Sequence, residues 1–215
     1  SETVTISDTT LAATVLNTLD GNTTGTVNAS TVTTLTGAAA AVITAYNSSG
    51  ISGLGNEKLT LSGNTSVANA NTLAADTTGV ITATITETDA STLATLTETT
   101  NAYTITVGDT SVTAANLNTI DGATTVAVTA TAVTTITGAA ADVNTAYASS
   151  GINGLGNEAV TLSDTTLAVA TLNTLNGNTT GVVNAATVAT LTGAAAAMNT
   201  AYTAGGLSLI HISEP

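Results

Sequence analysis

Apolar and polar residues alternate in short runs along the chain: Val4-Thr5-Ile6, Leu59-Thr60-Leu61, Ile105-Thr106-Val107 and Val160-Thr161-Leu162. A period of two belongs to a half-buried strand, so each run predicts a strand with its Thr facing outward. Weaker strand starts lie between these runs, at Val27-Asn28-Ala29, at 80–85, at 126–128 and at Val182-Val183. Turn signals separate the two kinds, as in Asp20-Gly21-Asn22-Thr23-Thr24-Gly25. After the strands the period changes. Val32, Leu35, Ala39, Val42 and Tyr46 are three or four residues apart, a helical stripe that Thr36 would cap and Asn47-Ser48-Ser49-Gly50 would end. Leu11, Val15 and Leu19 make a shorter stripe, with Asp8 or Thr9 as its cap. The many β-branched Thr residues oppose helix in these segments. An all-β reading, in which they are further strands of a parallel β-helix, is therefore the alternative.

These patterns repeat. Asp8-Thr9-Thr10-Leu11 returns as Asp109-Thr110-Ser111-Val112 and again as Asp164-Thr165-Thr166-Leu167, first 101 and then 55 residues on. The same offsets relate Leu35, Ile136 and Leu191, and also Tyr46, Tyr147 and Tyr202. Gly53-Leu54-Gly55-Asn56-Glu57 returns as Gly154-Leu155-Gly156-Asn157-Glu158, and a divergent copy fills the gap from Leu59 to Tyr103. Residues 1–206 thus read as four repeats, about 3–58, 59–103, 104–159 and 160–206, each with a Tyr near its close. Each holds two strand–turn–helix units of about 21–32 residues. Gly53-Leu54-Gly55 lacks the Lys of a phosphate loop and reads as a turn that widens one rung. Eight units in a row predict an α/β repeat solenoid with parallel strands, because one thin rung cannot bury its own apolar face. At ~4.8 Å per strand the stack would extend about 40 Å.

Composition narrows the function. Hydrophobic residues make up 43% of the chain and aromatic residues only 2%, with no Phe, Trp or Cys. A core of Val, Ile, Leu and Ala is thin, which suits stacked repeats. The net charge is -13, with one Lys and no Arg. Phosphate contacts need clustered cations, so nucleic acid and a basic membrane-binding face are excluded. Charged residues are only 7% of the chain, which with the regular apolar spacing argues for a folded protein rather than a disordered polyanion. No apolar run is long enough to span a membrane. The lack of Cys removes disulfides and thiolate chemistry. The near-absence of Lys and Arg gives trypsin-like proteases little to cut, as suits an extracellular protein.

Catalysis is not expected, and no catalytic residues or organic cofactor are assigned. Ser and Thr have no base, since the single His is His211, near the C-terminus. The acids recur in repeat register, as Asp8, Asp109 and Asp164, as Asp20 and Asp121, and as Glu57 and Glu158. Repetition is what a structural role predicts, whereas an active site usually occurs once. Asp20, Asn22 and Asp121 place oxygen ligands beside Gly and are the candidates for calcium, although neither turn carries a full calcium-loop pattern. Thr5, Asn28, Thr60, Thr82, Thr106, Thr161 and Asn184 would line the exposed sheet face as a ladder able to meet ice or a glycan.

Two resemblances follow. Val160-Thr161-Leu162-Ser163-Asp164-Thr165-Thr166-Leu167 resembles the core of a leucine-rich repeat, with Thr165 where that family has Asn; Leu59-Thr60-Leu61-Ser62-Gly63-Asn64 keeps the Asn. The likeness implies a similar rung. The whole of 3–206 resembles the Thr/Ala/Asn-rich tandem repeats of very long bacterial cell-surface and adhesin-type proteins, often marine ones, of which this chain would be a metagenomic fragment. That resemblance implies a secreted or surface-attached spacer. Its partners would be neighbouring repeats, and uncapped apolar rung faces would favour end-to-end self-association. After Gly206 the register is expected to fail, and 207–215 (LSLIHISEP) resembles a translated sequencing adapter, so His211 carries no function in this reading.

Overall fold

The structure, a computed structural model, describes residues 2–209. Its elements run β1 (Val4–Thr5), β2 (Thr10–Ala12), α1 (Ala13–Asn22), β3 (Val27–Asn28), β4 (Thr34–Gly37), α2 (Ala39–Asn47), β5 (Ile51–Ser52), β6 (Lys58–Thr65), α3 (Val67–Asp76), β7 (Ile81–Ile85) and α4 (Ala90–Leu93). They continue with β8 (Ala102–Thr104), β9 (Ser111–Thr113), α5 (Ala114–Gly122), β10 (Val128–Thr129), β11 (Thr135–Gly138), α6 (Ala140–Ala148), β12 (Ile152–Asn153) and β13 (Ala159–Leu162). The last are β14 (Thr166–Ala168), α7 (Val169–Asn178), β15 (Val183–Asn184), β16 (Thr190–Thr192), α8 (Ala195–Thr203) and β17 (Leu207–Ser208).

The described residues form two compact units, one of 2–87, 95–105 and 123–126, the other of 88–94, 106–122 and 127–209. The first holds the sheets β1-β3-β5 and β2-β4-β6-β7-β8. The second holds β10-β12, β14-β16 and β17-β15-β13-β11-β9. Every strand pair is parallel, and paired residues lie 20–24 positions apart in sequence. Parallel neighbours need a crossover between them, and the helices supply it. The protein is therefore α/β with parallel sheets only. The eight helices among the described residues overturn the all-β alternative.

The cores are aliphatic. In the first unit Leu16, Leu35, Val42, Leu59, Leu73 and Ile81 are sealed from solvent. In the second, Leu117, Ile120, Ile136, Val160, Leu172 and Leu175 are. Ala13, Ala45 and Ala70, like Ala114 and Ala146, let helix backbones sit close to the sheet. Each buried Leu, Ile or Val contributes about 1.5–3 kcal/mol.

At least one Thr in each long helix returns its hydroxyl to the carbonyl four residues back. The bonds are Thr18→Thr14, Thr44→Ala40, Thr72→Ala68, Thr119→Ala115, Thr145→Ala141, Thr174→Ala170 and Thr200→Ala196, at 2.8–3.1 Å. The hydroxyl is satisfied within its own helix instead of competing for other backbone groups.

Several expectations about boundaries need correction. Leu35 and Thr36 lie in strand β4, and Leu11 in strand β2, so the helical stripes begin later than their spacing implied. Thr36 caps nothing; the residue before α2 is Ala38, without a side-chain cap. Val15 points outward, 54% exposed, and Leu16 takes the core position instead. Asp20-Gly21-Asn22 is the last turn of α1 and not a loop. Two-residue strands at β5 and β12 occupy the segment just before the expected rung-widening turns. At the other end, Leu207 and Ser208 pair with Val183 and Asn184, as Ile152 and Asn153 pair with Val128 and Thr129. The strand register therefore runs two residues past Gly206. The remainder of the adapter-like tail, with His211, lies outside the described residues from 210 onward.

Candidate functional site

Three arrangements carry the polar chemistry of the chain. The first lies on the outer sheet faces. In the second unit Thr113, Thr137, Thr161, Asn184 and Ser208 are successive partners across β9, β11, β13, β15 and β17. In the first unit Thr36, Thr60 and Thr82 make a column between Ala12 and Ala102. Strand spacing sets these side chains ~4.8 Å apart. The ladder expected from sequence is therefore several columns. Thr60 and Thr82 share one, and Thr161 and Asn184 share another. Thr5 and Asn28 belong to a separate column with Ser52, and Thr106 is bridged to Thr129, itself beside Asn153. Thr36, Thr113, Thr137 and Ser208 were missed. For Thr36 and Thr137 the signal was present in Thr34-Leu35-Thr36 and Thr135-Ile136-Thr137, where the period-two alternation was absorbed into a helical stripe.

The second arrangement is a pair of buried glutamates. Glu57 and Glu158 are both 0% exposed. Glu57 accepts from the Tyr46 hydroxyl at 2.8 Å and from the Gly55 N–H at 2.8 Å on the same oxygen, Oε2. Glu158 Oε2 accepts from the Tyr147 hydroxyl at 2.9 Å, the Gly156 N–H at 2.8 Å and the Asn157 N–H at 3.1 Å. Gly55 and Gly156 have φ of +138° and +140°, which L side chains rarely adopt, and this turns their N–H groups toward the carboxylates. The one Lys of the chain, Lys58, is exposed. Hydroxyl and amide donors thus hold these carboxylates without an adjacent buried cation. Burial, and then the bond to Glu57, pushes the Tyr46 phenol well above its ordinary range. Burial likewise raises Tyr147, with Thr179 opposing and Glu158 adding. Both phenols remain protonated donors, and the sealed carboxylates present no surface to a dissolved substrate. Sequence reasoning named the four residues but did not join them; the constant spacing of eleven in Tyr46…Glu57 and Tyr147…Glu158 was the available signal.

The third is a set of bonds that tie each segment to the next. Thr77 and Thr179 donate to the carbonyls of Glu57 and Glu158 at 2.8 and 2.7 Å, and their hydroxyl oxygens accept the N–H of Gly79 and Gly181 at 3.0 Å. Thr23 does the same with Glu2 and Gly25. Asn17, Asn118, Asn144 and Asn173 each donate to a carbonyl on the following helix, at 2.9–3.1 Å. Asp164 accepts from the Ala140 N–H at 2.8 Å, and Asp109 from the Ala90 N–H at 2.6 Å. By their register with Asp8, read above as a cap of the helix after it, these aspartates would cap the helix that follows them; they cap the preceding one. That choice needs no Ncap side chain on the helix itself, which is why Ala139 can occupy the Ncap of α6.

The calcium candidates are placed differently from expectation. Asp20 Oδ2 accepts from Ser48 Oγ at 2.6 Å, and Asp121 Oδ2 from Ser149 Oγ at 2.6 Å. Gly50 and Gly151 sit against these carboxylates so closely that a Cβ would collide with them. The structure thus brings Asp20 to Ser48, and no group of three His, Cys, Asp or Glu side chains that could hold a metal gathers among the described residues.

Compared with protein-family models, with curated proteins and with solved structures, the chain has no match.

Proposed function

We propose that the chain is a non-catalytic spacer of a secreted or cell-surface repeat protein, an α/β solenoid whose rungs stack in parallel and whose partners are its neighbouring repeats. The observation that carries the reading is where the polar side chains go. Thr179, Asn144 and Asp164 all make their bonds to backbone groups of an adjacent rung, 21–27 residues away. Polar groups spent in this way hold a stack together, and the same bonds recur with Thr77, Asn118 and Asp109. A one-dimensional stack gains length and stability in proportion to its rungs. Fusions of one, two and three copies of residues 3–206 are expected to lengthen by about 4.8 Å per added rung in small-angle scattering. A maximum dimension that grows as the cube root of mass would sink the reading.

The column Thr113–Thr137–Thr161–Asn184–Ser208 favours a second reading, in which the open sheet face binds an extended regular ligand such as ice or a glycan. Thermal hysteresis that disappears in Thr161→Lys supports it. Absence of both hysteresis and recrystallisation inhibition in the unaltered chain removes ice.

A further inference from the structure

Helix α1 has an open side. Thr14, Val15, Thr18, Leu19 and Asn22 line a groove of about 370 Å³ there. Helix α7 carries the same sequence pattern 156 residues on, with Thr171, Leu175 and Asn178 at the positions of Val15, Leu19 and Asn22. In α7 that side is covered: α6 packs on it, Leu175 is 0% exposed, and two side-chain bonds fix the contact. Asn144 of α6 donates to the Thr171 carbonyl at 3.1 Å, and Asn178 donates to Asn144 Oδ1 at 2.9 Å. A covered α7 beside a bare α1 defines what fits the groove: a helix of the α6 type.

The chain offers such a helix with nothing on its outer side among the described residues. Helix α8 repeats α6 at an offset of 55, with Asn199 for Asn144 and Tyr202 for Tyr147. Tyr202 is 62% exposed and Asn199 is exposed. We propose that the α8 face of one copy docks on the α1 face of a second copy, in the register of the internal α6–α7 step. This inference rests on the spacer reading above, because it takes the internal step as the template.

Four complementarities follow from the offsets. Asn199 would donate to the Val15 carbonyl of the second copy, with Asn22 of that copy donating to Asn199 Oδ1. The Tyr202 hydroxyl would meet Glu2, which stands in sequence where Glu158 stands relative to Tyr147. Asp8, exposed and at the position of Asp164, would accept from the Ala195 N–H at the start of α8, as Asp164 accepts from Ala140. Strand β16 would extend to β1, pairing Leu191 with Val4 as Ile136 pairs with Val160. Leu191 and Val4 are half-buried, whereas Ile136 and Val160 are sealed. The contact is head-to-tail, so each copy keeps one face free after the first docking.

Sedimentation equilibrium of the full chain from micromolar to millimolar concentration tests this. The weight-average mass is expected to rise at least twofold. Leu19→Arg blocks only the α1 face and Asn199→Arg only the α8 face; both positions are partly or fully exposed, so both variants fold. Each alone stays monomeric, and a 1:1 mixture forms a heterodimer and nothing larger. A monomeric unaltered chain, or association that survives either single variant, overturns the proposal. The fused copies of the preceding subsection read the spacer independently. A constant length increment together with a monomeric unaltered chain rejects the docking and leaves the spacer standing.

Discussion

Replacing Tyr147 by Phe removes one hydroxyl from a fully buried carboxylate. Glu158 Oε2 then keeps two donors, the N–H groups of Gly156 and Asn157, while Oε1 already has no partner among the described residues. No adjacent cation offsets the loss. A hydrogen bond to a charged group contributes about 1.5–3 kcal/mol, and a buried acceptor left short of donors costs its full desolvation. The ring stays, so packing changes little, and the expected loss lies within that range. With a urea slope of about 2 kcal/mol/M, the unfolding midpoint falls by about 0.75–1.5 M. The assay is urea unfolding followed by circular dichroism, with the slope checked for constancy, because repeat proteins lose two-state behaviour when rungs uncouple. Tyr202→Phe is the control: its hydroxyl is exposed and without a partner among the described residues, so its effect stays within about 0.5 kcal/mol. Equal midpoints for the two variants would refute the claim that the Tyr–Glu contact secures the turn.

Further outcomes are expected elsewhere. Burial pushes the Tyr103 phenol from 10.0 up to about 12. A group whose folded pKa is raised gives stability that is full below its unfolded value and is lost as pH rises through the folded one, so urea midpoints should fall between pH 10 and about 12; Tyr103→Phe should lessen that fall, leaving the share that the raised Tyr46 and Tyr147 phenols contribute. Asp164→Ala uncaps α6 and costs about 1 kcal/mol, whereas Asp8→Ala leaves the stability of the dilute chain unchanged; comparison of the two thermal midpoints checks this. A Cβ on Gly181 would sit on the Glu158 carbonyl, so Gly181→Ala costs at least about 1–3 kcal/mol. Gly177, in the last turn of α7 with nothing within 4 Å, should instead stabilise by about 0.5–1 kcal/mol as Ala, and opposite signs in one melting series decide the point.

Much of the fold was legible in the chain. The alternating runs at Val4-Thr5 and Val160-Thr161-Leu162 are strands, and the Ala-rich segments from Ala39 and Ala140 are helices, because side-chain period and propensity act locally. The composition, with few bases and a single Lys, argued against catalysis and nucleic-acid binding. Val32, Leu35 and Ala39, however, satisfy both a helical spacing and part of a strand pattern. Sequence alone cannot break that degeneracy. Pairing of Leu35 with Leu11 and Leu59 does, since a strand needs neighbours from distant parts of the chain. The same holds for partners. Chain spacing recorded that Tyr147, Glu158, Asn144 and Asp164 recur, but which of them meet depends on the 24-residue step between parallel strands. That step turns Asp164 back to the preceding helix, while the local turn at Gly156 brings Glu158 to the Tyr147 hydroxyl.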